Sequence, residues 1–310
     1  MERNLIYHHL PIKEHVPISI RLIASDMDGT LLDPYTNISQ ANIDAIHRLS
    51  DYGVEFLICS GRDHHDAKGM MDSCGITCGY ICLSGAVIYD QAGTQMANLP
   101  LNKQNLKDIS HVFGEFGAAM DVLTSHGRYS TADPERKILE LYDFLNGRAP
   151  FSGEIPDEIR AAAKERMDTM TFVRDLGEIP ADADIYKICG NDLDCDLVIR
   201  MKEAFTNYPD LAAASSFPNN IELTNTAAQK GNALKTYAAA KGISLNDVMV
   251  LGDSDNDISM FTPEFGWTVA MDNSMDCIRK RAKYVTKSNA EDGVAWAIRK
   301  YVFGEEEGNL

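Results

Sequence analysis

Two short apolar runs, Arg21–Ser25 (RLIAS) and Val248–Leu251 (VMVL), each end directly in a cluster of acids. The first runs into Asp26-Met27-Asp28-Gly29-Thr30 and the second into Gly252-Asp253-Ser254-Asp255-Asn256-Asp257. Apolar runs this short, bounded by turn residues, read as buried strands. In an extended chain residues i and i+2 point the same way, so Asp26 and Asp28 project together from the end of their strand. Ligand sites of open α/β sheets lie at that end. Both clusters must therefore sit at the carboxyl edge of one sheet, although they come from opposite ends of the chain.

The segments around them fit that constraint. After the first run comes Ser39–Ser50, with Ile43, Ile46 and Leu49 at helical spacing and Ser39 as N-cap. A strand over Val54–Ile58, a helix over Asp63–Ser73 and a strand over Tyr80–Leu83 follow. This βαβαβ rhythm specifies an α/β fold with a doubly wound parallel sheet. It breaks after Ser84, where Val87–Tyr89 and Thr94–Ala97 flank Asp90–Gly93 as a hairpin. Helices are then expected at 103–116, 134–147, 156–166 and 193–206, and strands near 119–124, 169–173, 184–189 and 211–215. The α/β rhythm returns with a helix over Lys230–Ala240, a helix from near Asp255, a strand over Thr268–Ala270, and helices near 274–282 and 291–302. The expected organisation is an N-terminal extension (1–20), a core in two parts (21–90 and 217–304), an inserted α+β block (91–216), and a frayed acidic tail (305–310). A length of 310 residues suits two such units.

Four or five carboxylates converging on one sheet edge repel one another unless a cation lies among them, and an all-oxygen site suits Mg2+. Either cluster alone would be an ordinary turn or helix cap. Two of them, each after a strand of the same sheet, point to a metal site. Cys59-Ser60-Gly61-Arg62 ends the second strand and opens a helix, which offers a hydroxyl and backbone N–H groups to an anion. Lys230-Gly231 opens another helix and supplies the cation that this acidic site otherwise lacks. The chain contains neither the GxxxxGK[ST] loop of nucleotide hydrolases nor a GxGxxG turn after the first strand. The pair His64-His65 reads as a solvated helix face.

Composition narrows the partners. Lys plus Arg number 29 against 46 Asp plus Glu, a net charge of −17, so nucleic acid and anionic membranes are not expected partners. No apolar run reaches the ~18 residues of a membrane span, and the N-terminus does not read as a signal peptide. Seven cysteines without a disulfide pattern fit a reducing cytoplasm. The spacing of Cys74, Cys78 and Cys82 is not that of a zinc site.

The four pieces Asp-Met-Asp-Gly-Thr, Ser-Gly-Arg, Lys-Gly and Gly-Asp-Ser-Asp-Asn-Asp, in this order, resemble the haloacid dehalogenase (HAD) superfamily of phosphotransferases. The insertion after the third strand resembles the type-IIB cap of its Cof-like sugar-phosphatase branch. The resemblance covers about residues 21–304. It implies a HAD-like core with an inserted α+β cap domain, and a Mg2+-dependent phosphatase acting on a small phosphorylated metabolite, foremost a sugar phosphate. It further implies Asp26 as the nucleophile that forms an aspartyl-phosphate, and Asp28 as general acid and base with a pKa above that of Asp26. Asp253 would complete the Mg2+ site with the Asp26 carboxylate and the Asp28 backbone carbonyl. Ser60, Gly61, Lys230 and Asn256 would hold the phosphoryl group, and Asp257 would order the metal's surroundings. Ser84 stands where relatives often have Asn. A phosphomutase of the same fold and a non-catalytic phosphometabolite-binding protein are the alternative functions. A monomer or small homo-oligomer is expected.

Overall fold

A computed structural model describes residues 20–145, 154–192, 194–215 and 219–305. The expected N-terminal extension before residue 20 and the acidic tail beyond 305 lie outside the described residues. So do the last two positions of the helix expected over 134–147.

The first part of the chain alternates as expected: β1 (Leu22–Ser25), α1 (Gln40–Arg48), β2 (Glu55–Cys59), α2 (His64–Ser73) and β3 (Gly79–Cys82). Ser39 caps α1, its side chain accepting from the Asn42 N–H. The hairpin follows as β4 (Val87–Tyr89) and β5 (Gln95–Asn98). Next come α3 (Leu106–Glu115), β6 (Asp121–Thr124), β7 (Gly127–Ser130), α4 (Pro134–Leu145), α5 (Asp157–Met167) and β8 (Met170–Phe172). This middle block continues with β9 (Ile185–Asn191), α6 (Cys195–Ala204), β10 (Leu211–Ala214) and β11 (Asn220–Asn225). The last part contains α7 (Lys230–Ala240), β12 (Val248–Gly252), β13 (Trp267–Ala270), α8 (Asp276–Arg279), β14 (Tyr284–Val285) and α9 (Gly293–Ile298). The helix expected from Asp255 is a 3-10 turn over Asp255–Met260.

Two sheets result. The first has the order β14-β13-β12-β1-β2-β3-β4-β5, parallel throughout except for the β3-β4-β5 meander. Its central strands, β12, β1, β2 and β3, are buried on both faces, as a doubly wound parallel sheet requires. Ile23, Phe56, Ile58, Met249 and Leu251 point into an apolar cluster with α1, α2 and α9. Their neighbours Leu22, Leu57, Val248 and Val250 point into another with Leu234, Tyr237 and Ile278 of α7 and α8.

The second sheet has the order β10-β11-β9-β6-β7-β8 and is antiparallel except for β7-β8. Val122, Ile188, Ile221 and Leu223 turn one of its faces to α3 and α6, burying Phe113 and Met201 between them. The expected boundaries at 90 and 216 do not coincide with the sheets. The hairpin strand β5 pairs in the first sheet, and β11 pairs in the second. The sequence pattern predicts no strand at β7, β11 or β14. In β11 only Ile221 and Leu223 are apolar between Asn220, Glu222, Thr224 and Asn225, so the run resembles a polar turn. No helix among the described residues is long and apolar enough to cross a membrane.

Candidate active site

Strand register brings the acid clusters together. β1 is flanked by β12 and β2, with Ser25 opposite Leu251 on one side and Ile58 on the other. The chain therefore leaves β1 at Asp26 between Gly252-Asp253 and Cys59-Ser60. The Asp26 N–H still donates to the Leu251 carbonyl at 3.0 Å, which fixes the residue at the sheet edge. Asp26 is 4% exposed.

Lys230, at the start of α7, is fully buried and is the hub of the cluster. Its Nζ donates to Asp26 Oδ1 at 2.7 Å, to Asp257 Oδ1 at 2.7 Å and to Asn256 Oδ1 at 3.3 Å. Gly231 makes this approach possible, because a Cβ there would stand 1.9 Å from the Ser259 carbonyl oxygen. Asp257 Oδ2 accepts the N–H groups of Asp253 at 2.9 Å and Ser254 at 3.2 Å. Asp257 thus holds Lys230 with one oxygen and shapes the loop after β12 with the other. Thr30 Oγ1 donates to Asp253 Oδ1 at 2.9 Å. The Asp253 carboxylate lies against Gly29, where a Cβ would fall 2.5 Å from Oδ2 and where φ is +84°.

Oxygens of Asp26, Asp253 and Asp257 lie within 4.8 Å of one another, with the single ammonium of Lys230 among them. Burial, reinforced by Asp257 and Asp253 and opposed by Lys230, pushes Asp26 well above the usual carboxylate range. Burial and Asp257 push Asp253 up to about 7. Burial opposes the charge of Lys230, but Asp257 and Asp26 override it and push that group up. The cluster is short of positive charge. A hard divalent cation fits: the donors are carboxylate oxygens, and Asp26 and Asp253 each keep an oxygen that Lys230 and Thr30 do not take.

Asp28 is placed differently from its neighbours. Arg62 grips its carboxylate with two hydrogen bonds, Nε to Oδ2 at 2.8 Å and Nη2 to Oδ1 at 2.6 Å. Asp26 is the carboxyl that burial raises, and Asp28 is the one that faces a guanidinium. Ser60 is buried, and its Oγ accepts the Arg62 N–H at 3.1 Å, which closes the Ser60–Arg62 turn. Asn256 lies on Lys230 and also accepts from Ser254 Oγ at 3.0 Å.

Several residues had escaped sequence reasoning. Arg62 follows Ser60-Gly61 in the sequence, and nothing in that pattern identifies Asp28 as its partner. Arg128 of β7 forms ion pairs with Asp63 and Asp66 at the start of α2, joining the second sheet to the first. His64 is not on a solvated face: it stacks on Tyr89 with ring centroids 3.9 Å apart and meets Tyr80 edge-on. Its partner His65 is exposed. The second sheet turns Leu123, Lys187 and Glu222 away from its own helices, by strand alternation. A cavity of about 700 Å3 lies there, lined by Gly61, Arg62, Lys187, Tyr129, Leu141 and Met167 among others. The signal for this polar face is the alternation of charged and apolar residues in Tyr186-Lys187-Ile188 and Ile221-Glu222-Leu223.

Comparison with known proteins adds four findings. A family model described as haloacid dehalogenase-like hydrolase matches residues 23–298. The chain is 31% identical over 295 residues to the 5-amino-6-(5-phospho-D-ribitylamino)uracil phosphatase YwtE of Bacillus subtilis strain 168, covering 92% of this chain and 99% of that one. It is 30% identical to the phosphatase YwpJ of the same strain, over 90% of this chain and 99% of that one. Among solved structures, a haloacid dehalogenase-like hydrolase from B. subtilis superimposes with a TM-score of 0.79 at 28% identity, covering 90% of this chain and 99% of that one.

Proposed function

This chain belongs to the haloacid dehalogenase-like hydrolases, and as a phosphatase of that family we propose that it is Mg2+-dependent and hydrolyses a small phosphorylated metabolite through an aspartyl-phosphate. The observation that carries the reading is the Asp26 carboxylate, buried at a strand end and held by Lys230 beside Asp253. A carboxylate meets like-charge repulsion when it attacks a phosphate dianion. Lys230 offsets that repulsion at the attacking oxygen, and a bound Mg2+, held by Asp26 and Asp253, would supply further charge stabilisation to the phosphoryl oxygens.

In this reading Asp26 attacks phosphorus in line and the leaving oxygen departs with a proton from Asp28. Asp28 then takes a proton from the water that releases phosphate from Asp26. The ion pair with Arg62 fixes where Asp28 rests as a carboxylate; it leaves that pair and takes up a proton from solvent before it reaches the leaving oxygen. Ser60 and Gly61 receive the phosphoryl oxygens through the turn that precedes α2. Asn256 steadies Lys230, and Asp257 orients the Asp253 loop. The block carrying the second sheet serves as the cap that closes over the site and excludes bulk water.

The substrate is a small phosphorylated metabolite, with sugar and polyol phosphates first. Several relatives are named for phosphorylated metabolites, one carrying a phospho-D-ribitylamino group and another, from Escherichia coli K12, being a pyridoxal phosphate phosphatase. We place the chain in the cytoplasm as a monomer or small homo-oligomer; all seven thiols are free. The test is phosphate release from a panel of sugar, polyol and aryl phosphates, with Mg2+ and after chelation. Turnover that survives chelation, or persists in Asp26→Asn, would overturn the mechanism. Interconversion of phosphate isomers with little free phosphate would move the reading to a phosphomutase.

A further inference from the structure

The second sheet carries an ion pair in a place where charge is expensive. Lys187 and Glu222 are 3% and 6% exposed, with Nζ 2.6 Å from Oε2. Asn220 Nδ2 donates to the other carboxylate oxygen at 3.2 Å. Desolvating two charges offsets most of their attraction, so a buried pair is a poor source of stability. Its location suggests a different use. Lys187 Nζ lies 3.4 Å from the Gly61 carbonyl oxygen, across the gap between the two sheets. A Cβ on Gly61 would stand 3.2 Å from Lys187 Nζ, 3.6 Å from Ser84 Oγ and 4.0 Å from Glu222 Oε2. Three polar groups from three strands or strand ends thus ring the bare Cα of Gly61.

Ser84 reaches this point on a strained backbone. Leu83 and Ser84 have φ of +52° and +60°, consecutive left-handed residues that are not glycine. The strand-end loop is tied to the Ser60–Arg62 turn by Ser84 N to Ser60 O at 3.0 Å and Leu83 N to Arg62 O at 2.9 Å. Ser84 is 9% exposed, and its Oγ has no hydrogen-bond partner among the described residues. Buried hydroxyls normally find partners, and strain of this kind collects where a ligand repays it.

We propose that Ser84, Lys187 and Glu222 form the leaving-group subsite and read a hydroxyl on the carbon beside the phosphoester. An ammonium only donates, a carboxylate only accepts, and a serine hydroxyl does both. A hydroxyl is the ligand group that satisfies all three together, because it accepts from Lys187 and donates to Glu222 or Ser84. A carboxylate or second phosphate in the same place would meet Glu222, and an alkyl chain would leave Ser84 unpaired. The assignment rests on the phosphatase reading in one respect, that the phosphoryl group sits at Ser60 and Gly61.

The test measures binding in the absence of turnover. In the Asp26→Asn protein with Mg2+ present, the dissociation constants of ribitol 5-phosphate and n-pentyl phosphate are compared by calorimetry. These two esters share chain length and charge and differ in their hydroxyls. The expected preference for the ribitol ester is about tenfold or more, the scale of hydrogen bonds to charged groups. Adding Glu222→Gln or Ser84→Ala should bring the ratio of the two constants toward one. A parent without the preference, or variants that weaken both esters in parallel, would overturn the subsite; parallel weakening would mark Lys187 and Glu222 as a latch between the sheets. Phosphate release by the unsubstituted enzyme is followed with both esters alongside. Its absence from both would sink the phosphatase reading, while the binding ratio would still decide the subsite.

Discussion

Arg62 and Asp28 face each other in a bidentate ion pair, with Nε–Oδ2 at 2.8 Å and Nη2–Oδ1 at 2.6 Å. The pair puts the proposed general acid under the control of the turn that is proposed to bind phosphate. Replacing Arg62 by Ala should lower kcat by about 10- to 100-fold, the range that misplacing a catalytic group costs. KM should change less than kcat. A kcat within twofold of the parent would show that Asp28 is positioned without Arg62.

Lys230 is enclosed with no exposed surface and touches both Asp26 and Asp257. Lys230→Met removes the only cation bonded to these carboxylates among the described residues and should cost ~3–5 kcal/mol, as breaking a buried pair does. The loss should deepen as pH rises, because Asp26, which burial raises, then ionises without the ammonium that offsets its charge. Urea unfolding at two pH values checks this, and phosphate release should be abolished in the same protein. A uniform loss below 1 kcal/mol would contradict the hub role.

Asp253 is raised from its ordinary 3.8 to about 7. A carboxyl raised on folding contributes stability below its unfolded pKa, and that contribution is lost as pH rises through its folded pKa. Without divalent cation, Tm should therefore fall between pH 6 and pH 8. Saturating Mg2+ should restore it, since binding at 100 times Kd stabilises by about 2.7 kcal/mol. Protons compete for the same oxygens, so the Mg2+ shift should be larger at pH 8 than at pH 6. Equal shifts at both values would place the metal away from Asp253.

Arg128 reaches from β7 to Asp63 and Asp66 of the first sheet's α2 region. Its loss in Arg128→Ala should loosen closure of the block over the site, raising KM about three- to tenfold. The substitution is expected to change overall stability by less than 1 kcal/mol, because the pair is partly exposed. Steady-state kinetics and thermal melts distinguish this from a purely structural contact, which would lower Tm and leave KM alone.

The first sheet was legible because its strands are short apolar runs with capped helices between them. The acids after β1 and β12 then marked the edge at which the structure brings them together. The pairing of β1 with both β2 and β12 turned two sequence clusters into one, and that relation of distant segments was inferred from the rhythm of the chain. What could not be read was side-chain direction. Arg62 could have pointed at solvent, His64 looked like half of a solvated pair, and the polar residues of β11 disguised a strand. Lys187 and Glu222 lie far apart in the chain, and the β9–β11 register makes them diagonal neighbours on one face, with Lys187 opposite Thr224 and Glu222 opposite Cys189. The raised pKa of Asp26 was missed for the same reason, since burial is a property of the assembled edge.

The order of the strands also has a consequence for how the chain is made. β1 sits between β2, which follows it closely, and β12, which is synthesised only after the whole second sheet. A nascent chain therefore carries its central strand with one edge open through most of its synthesis, and Asp26 has neither Lys230 nor Asp253 beside it until the end. Such an edge invites unwanted pairing until the final segment of the chain covers it. A product truncated before α7 would hold Asp26, the proposed nucleophile, without Lys230 or Asp253 beside it.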